Sequence, residues 1–185
     1  MPERPEYDFD EIQKAMEDTE REAFDYFLDR KTGEVIVLSG EIIEQARRIL
    51  DEAYDEDVDN YEDVEVDQVP EVPDWAEDEV ELALDIYLHD QQRYARIPER
   101  SPEQAYAAMK EFSSTVQDEE LRLHLQQSLD GKGAFRKFKD LLGPYPKERK
   151  MWYVFNAKAS RQEIAQWLAE LGSATMETDD DTAAD

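Results

Sequence analysis

The spacing of apolar residues divides the first third of the chain into helices around a strand hairpin. Apolar residues recur at helical spacing over residues 9–16 and again over 42–53. Between them, residues 24–29 and 34–39 are rich in aromatic and β-branched side chains, and residues 30–33 separate the two runs with a glycine late in the loop. The pattern predicts a helix, an antiparallel hairpin with a type I turn closed by a glycine bulge, and a second helix.

The remainder of the chain has a helical pattern, interrupted by one short strand. Residues 94–98 are predicted to form this strand, which ends at Pro98 and which we expect to be a third strand beside the hairpin. Ser101, Pro102 and Gln104 combine a helix N-cap, a proline at the first helical position and a capping-box side chain. Helices are predicted, in order, over residues 75–88, 102–114, 117–129, 134–142 and 147–171.

The last of these helices carries two further signals. Ser160 and Glu163 have the spacing of a capping box, so we expect a break or kink near residue 159. Gly172 is predicted to end the helix, and residues 173–185, acidic and poor in apolar side chains, are predicted to be a disordered tail.

These elements together predict an α+β fold. A small antiparallel sheet of about three strands is expected to be covered by about six helices, with a mostly helical C-terminal half. We expect residues 1–172 to form a single domain. Residues 55–79 hold thirteen acidic and no basic side chains, together with two prolines. A mobile acidic insertion is therefore predicted at about 55–74.

The composition makes the protein strongly acidic. Its 185 residues include 48 Asp plus Glu against 21 Lys plus Arg, a formal net charge of −27. Three interpretations stay open: adaptation to a high-salt cytoplasm, imitation of a nucleic-acid backbone, or a disordered acidic segment that raises the count.

The candidate chemistry is sparse. Without cysteine there is no disulfide, no thiolate nucleophile and no cysteine-containing zinc site. The two histidines, His89 and His124, have no paired spacing, so no metal site or acid–base pair is predicted. No cofactor is expected, and the sequence leans against an enzyme, although carboxylate pairs formed by folding cannot be seen in a sequence. No secretory leader or membrane span is visible, which predicts a cytoplasmic protein without a membrane partner.

One strongly basic stretch stands out, residues 131–140. Gly131 and Gly133 can adopt positive φ and form a tight turn before a new helix. A helix N-terminus with a lysine between two glycines can attract an anion. The alternative is a solvated basic face with glycines that serve only the turn. The residues predicted to bind an anion are Lys132, Gly133, Arg136, Lys137 and Lys139.

The basic character continues beyond this turn. Residues 131–161 hold nine basic side chains and two acidic ones, a net charge of +7, so the rest of the chain carries −34. This asymmetry has two interpretations. Either the basic helices dock on the acidic remainder of the chain, or they attract an anionic ligand.

The sequence of residues 131–140, GKGAFRKFKD, resembles the GKGAFRRFKD-type signature of a bacterial group, uncharacterised protein family 0158. The likeness extends in pieces to residues 26–37, 93–98, 152–155 and 167–168. The resemblance implies no activity and no catalytic residue. The leading hypothesis is therefore a non-enzymatic interaction module with an acidic surface, whose partner is a protein or an anionic ligand that the sequence does not identify. The alternatives are a weak nucleic-acid or phosphate binder acting through residues 131–150 and a nucleic-acid mimic.

Overall fold

A computed structural model describes residues 5–53, 72–88 and 92–180, with the backbone alone for 173–180. Its contacts divide the chain into two compact units. One comprises Met1–Glu99 together with Ser173–Asp185, and the other comprises Arg100–Gly172. Within the described ranges there are seven helices and a three-stranded antiparallel sheet. The predicted α+β fold class, with its helical C-terminal half, is confirmed.

The first unit is built on the sheet. Its elements are α1 (Phe9–Glu17), β1 (Phe24–Asp29), β2 (Val35–Ser39), α2 (Gly40–Ala53), α3 (Glu77–Leu88) and β3 (Tyr94–Arg96). The strand order is β2-β1-β3, with Tyr26 opposite Val37 and Leu28 opposite Ala95. The hairpin and the predicted third strand are therefore confirmed, and β1 is the central strand.

The core of this unit lies between the sheet and helices α2 and α3. Both helices bury one apolar stripe, because their apolar residues recur every three or four positions. The buried side chains of this core are Phe27, Leu38, Ile42, Ile43, Ala46, Ile49, Leu50, Ala76, Val80, Ala83, Leu84, Ile86 and Tyr94.

The hairpin turn is fixed by one carboxylate and one glycine. The side chain of Asp29 accepts hydrogen bonds from the backbone N–H groups of Lys31 (2.8 Å) and Thr32 (3.3 Å). Gly33 has φ = 84° and donates its N–H to the carbonyl of Asp29 at 2.7 Å. A Cβ at position 33 would lie 2.4 Å from the carbonyl oxygen of Glu6. Only glycine suits this position, because it permits both the positive φ and the close approach of the N-terminal segment.

Asp29 is also the acidic partner of Arg93. The carboxylate oxygen Oδ2 of Asp29 lies 3.0 Å from Nη2 of Arg93, and the Asp29 side chain is only 5% exposed. Burial raises the pKa of Asp29, but the hydrogen bonds from Arg93, Lys31 and Thr32 outweigh burial, and the pKa is lowered overall. Asp29 therefore stabilises the fold in its ionised form.

This pair predicts a pH-dependent stability. A carboxyl group with a lowered pKa in the folded state adds stability above its unfolded pKa of about 3.9, and that stability is lost as the pH falls through the folded pKa. We expect Asp29→Asn to lower the free energy of unfolding at pH 7 by about 2 kcal/mol. The difference between wild type and variant should shrink below about pH 4. Urea unfolding at pH 7, 5 and 3 measures it.

Glu44→Gln, at an exposed position on α2, is the control. We expect it to change the free energy of unfolding little at any of these pH values. A difference between wild type and Asp29→Asn that stays constant from pH 7 to pH 3 would contradict a stabilising role for the ionised carboxylate.

The second unit is a set of packed helices: α4 (Pro102–Thr115), α5 (Glu119–Ser128), α6 (Ala134–Leu142) and the portion of α7 (Pro146–Asp180) that precedes residue 173. Ser101 caps α4 by accepting the N–H of Gln104, with Pro102 in the first turn, as predicted. Asp118 caps α5 by accepting the N–H of Leu121. The core of this unit consists of Ala108, Met109, Phe112, Val116, Leu121, Leu125, Leu129, Phe138, Leu142 and Trp152.

Helix α7 differs from its predicted form in two ways. It is continuous through residue 159, so the predicted break is wrong: Ser160 is buried and Glu163 binds Arg100. It also continues through Gly172 to Asp180, so the predicted end at Gly172 is wrong. A single glycine inside a helix costs only about 1 kcal/mol relative to alanine, which does not stop a helix without a proline nearby.

The described residues cover only part of the segments for which the other predictions were made. The predicted insertion at 55–74 lies outside the described residues except for its last three, of which Val72 packs against the first core. Residues 181–185 and His89 also lie outside the described residues, and a disordered tail over 173–185 stays a prediction. A single domain over residues 1–172 stays a prediction as well, because compactness alone does not show which parts unfold together.

Candidate interaction surface

The glycine turn before α6 has the predicted geometry. Gly131 and Gly133 adopt φ values of 86° and 76°, and Gly133 is the N-cap of α6. A Cβ at either glycine would meet no atom within 4 Å, so backbone conformation rather than crowding favours glycine here. Lys132 stands between them with an exposed side chain.

The basic residues of α6 are exposed but do not all share one face. With about 100° between successive residues, Arg136 and Lys139 lie about 60° apart around the helix, whereas Lys137 lies about 160° from Lys139. Between Lys137 and Lys139 lie the buried stripe of Ala134, Phe138 and Leu142 on one side of the helix and Asp140 on the other. Arg136 and Lys139 are therefore neighbours, and Lys137 is not part of their group.

A second basic surface lies on α7, and we call it the α7 face. It occupies a sector about 100° wide and consists of exposed residues only. Its members are Lys147, Lys150, Met151, Val154, Lys158 and Arg161. Met151 is 46% exposed and Val154 is 66% exposed. The acidic residue nearest in sequence, Glu148, is half-buried and points outside this sector. The α7 face thus combines basic side chains with exposed apolar ones.

The nine basic side chains of residues 131–161 are all exposed. One of them, Arg136, forms a long contact with Asp140, in which Nε lies 3.8 Å from Oδ2 and both side chains are largely solvated. Another, Arg149, donates to the carbonyl of Gly143 at 3.3 Å. Exposed contacts of this kind contribute little energy, so they leave the positive charges of Arg136 and Arg149 available to a partner.

An aromatic cluster holds α6 and α7 in place from the inside. The ring of Phe138 on α6 lies 5.0 Å from that of Trp152 on α7 and 6.3 Å from that of Phe112 on α4, measured between centroids. Phe155 lies 5.6 Å from Phe112. Trp152, Phe155 and Ala159 form one stripe of α7 that packs against this core. Because these rings fix the rotation of both helices, the outward side chains are presented on a rigid support.

Other chemistry is limited in the part of the chain that the structure describes. His124 is exposed, as expected for a surface histidine. Over residues 5–53, 72–88 and 92–180, no group of three or more His, Asp or Glu side chains is arranged to hold a metal ion. None of the helices in these ranges combines the length and hydrophobicity that a membrane crossing requires.

Comparison with known proteins places the chain in a family. A family model described as Uncharacterised protein family (UPF0158) matches residues 72–181, which is more than half of the chain. The chain belongs to this family. The match begins before α3 and includes β3, the glycine turn and both basic helices, so it confirms the resemblance at residues 131–140. The hairpin of β1 and β2 precedes the matched range. No curated protein and no solved structure matches the chain.

The sequence identified the basic residues of the α7 face but not its exposed apolar residues. Met151 and Val154 were not predicted to be exposed, although Val154 lies about 160° around α7 from the buried Trp152 and Met151 about 100° from it. The angular positions of charged and apolar residues around α7 would have shown that these two apolar residues lie among the basic ones.

Proposed function

We propose that this member of UPF0158 is a non-enzymatic interaction module of the cytoplasm, and that its α7 face binds a short acidic segment of another protein. The observation that carries the proposal is the coincidence, on one exposed face, of four basic side chains with Met151 and Val154. Basic side chains around exposed apolar ones are complementary to a segment in which acidic and apolar residues alternate along a helix.

The charge distribution favours such a segment over a nucleic acid. At physiological ionic strength, charges interact over about 8 Å, so a short peptide on the α7 face is attracted mainly by the local charge. A long polyanion would also approach the acidic remainder of the chain, which carries −34 outside residues 131–161. The exposed apolar side chains are better matched by a peptide than by phosphates.

The test uses a peptide-display library and two variants of equal charge. Wild-type protein is expected to select peptides rich in Asp or Glu and in apolar residues, and the selected peptides are then titrated by fluorescence anisotropy. Changing Lys147, Lys150 and Lys158 to Gln should weaken binding by about tenfold or more, and added salt should weaken it further.

The matched variant changes Lys132, Arg136 and Lys139 to Gln, which removes the same charge from the glycine turn and α6. It is expected to keep peptide binding within about threefold of wild type, since only long-range attraction is lost. Peptides without acidic enrichment, or equal losses in both variants, would contradict the proposal.

The second candidate function is phosphate or nucleic-acid binding through Lys132, Gly133, Arg136 and Lys139. The exposed Lys132 between two glycines of positive φ, at the start of α6, is the observation that favours it. The same two variants decide between the candidates. If wild type binds a single-stranded oligonucleotide and only the variant changed at Lys132, Arg136 and Lys139 loses this binding, phosphate or nucleic-acid binding replaces the α7 proposal. Such binding should weaken steeply as the salt concentration rises.

A further inference from the structure

The first unit contains an open cavity that is basic although the protein is acidic. Its volume is about 480 Å³, within the range of small-molecule sites. The lining residues are Tyr7, Arg30, Lys31, Gln92 and Arg93. All of these described lining residues offer hydrogen-bond donors, and none of them is acidic.

Backbone contacts hold the walls of this cavity in fixed positions. The N–H of Arg30 donates to the carbonyl of Arg93 at 2.8 Å, so the hairpin turn is joined to the residue before β3. The backbone of Glu6 lies against Gly33, which places the neighbouring Tyr7 beside the same turn. Three segments that are distant in sequence therefore meet at the cavity through backbone contacts, which change little when surface side chains are altered.

Arg93 is oriented before any ligand arrives. Its Nη2 and Nε lie 3.0 and 3.3 Å from Oδ2 of Asp29, and its guanidinium stacks 4.8 Å from the ring centroid of Tyr94. Its Nη1 makes a longer contact, 3.5 Å, with Asp85. The two carboxylates lie against one guanidinium whose side chain stays 41% exposed. With Arg30 and Lys31 in the lining, the three cations exceed the two carboxylates by one positive charge.

We propose that this cavity binds a small anion, specifically the phosphate group of a small molecule. Arginine presents donors in a planar fork that matches phosphate oxygens, and lysine adds a compact positive charge. A phosphate group has three strong acceptor oxygens, so it can accept from Arg93 and from the other donors of the lining. A carboxylate, which has two oxygens, would use only part of this arrangement.

The probe is inorganic phosphate, with potassium acetate at the same ionic strength as the comparison. Phosphate is expected to shift the backbone NMR signals of Tyr7, Arg30, Lys31, Gln92 and Arg93 in a saturable way, and acetate is expected to bind more weakly. Arg30→Gln combined with Lys31→Gln should weaken phosphate binding by about tenfold or more, because two charged hydrogen-bond donors are lost.

The matched control is Lys14→Gln combined with Arg48→Gln, which removes the same charge from exposed positions on α1 and α2. It should bind phosphate as wild type does. Phosphate shifts spread evenly over the chain, equal affinity for acetate, or unchanged binding by the Arg30/Lys31 variant would overturn the proposal. The wild-type NMR map is informative even where a variant is unstable.

Discussion

Replacing Phe138 by alanine is expected to lower the free energy of unfolding by about 3–5 kcal/mol. The side chain is fully buried and its ring contacts both Phe112 and Trp152. Truncation removes those contacts and leaves a cavity between helices α4, α6 and α7, which the surrounding rings cannot fill without leaving their preferred geometry. Urea unfolding followed by tryptophan fluorescence measures the loss, because Trp152 is part of the same cluster.

Phe135 is the control, since it lies on the same helix with 43% of its surface exposed. Phe135→Ala is expected to change the free energy of unfolding by less than about 1 kcal/mol. Similar losses in the two variants would mean that α6 does not pack through Phe138 as described.

The second large effect is expected at the ion pair of Arg100 and Glu163. Two parallel contacts of 2.9 Å join Nε and Nη2 of Arg100 to the two carboxylate oxygens, and Nη1 donates to Asn156 at 2.7 Å. The two side chains are only 9% and 16% exposed. Glu163→Ala removes the carboxylate that makes both of these contacts with a largely buried guanidinium, so we expect a loss of about 3 kcal/mol in unfolding free energy.

The double variant Arg100→Leu, Glu163→Leu distinguishes a buried charge from lost packing. A pair of apolar residues removes both charges together, so the double variant should be more stable than Glu163→Ala alone. Glu119→Ala breaks a comparison pair with Arg122, 3.8 Å long and exposed, and should cost less than about 1 kcal/mol. If Glu163→Ala is no more harmful than Glu119→Ala, the buried pair does not stabilise the unit.

Local signals account for most of what the sequence predicted about the fold. The cap at Ser101 and the turn at Gly33 each involve residues within a few positions of one another, and the physical rule behind each acts over that distance. Helical spacing predicted α6 and α7, and burial of one apolar stripe on each helix places Phe138 and Trp152 inside.

Contacts between residues that are distant in the sequence account for most of what the sequence did not predict. Arg100 lies 63 positions before Glu163, and Asp29 lies 64 positions before Arg93. Neither pair leaves a periodic pattern in the sequence. For the pair of Arg100 and Glu163, a local rule gave a wrong prediction. The capping-box spacing of Ser160 and Glu163 predicted a helix break, but α7 is continuous there and Glu163 binds Arg100. Tertiary contacts outweighed the local preference.

The candidate sites also differ in whether local sequence or long-range contacts form them. Lys132, Arg136 and Lys139 were found because they lie close together in the sequence of an otherwise acidic chain. The cavity beside Arg93 was not, because folding brings together three distant segments to form it. The sequence predicted the turn over residues 30–33, but the role of Asp29 in orienting Arg93 depends on the pairing of β1 with β3, which the sequence does not reveal.

The space around the glycine turn has a practical consequence for labelling. Since a Cβ at Gly131 or Gly133 would meet no atom within 4 Å, extra residues inserted beside Lys132 would project into solvent. Exposed loop tips of this kind accept insertions and new chain termini more readily than packed segments do. A fluorophore attached there would label the start of α6 without changing any residue of the α7 face.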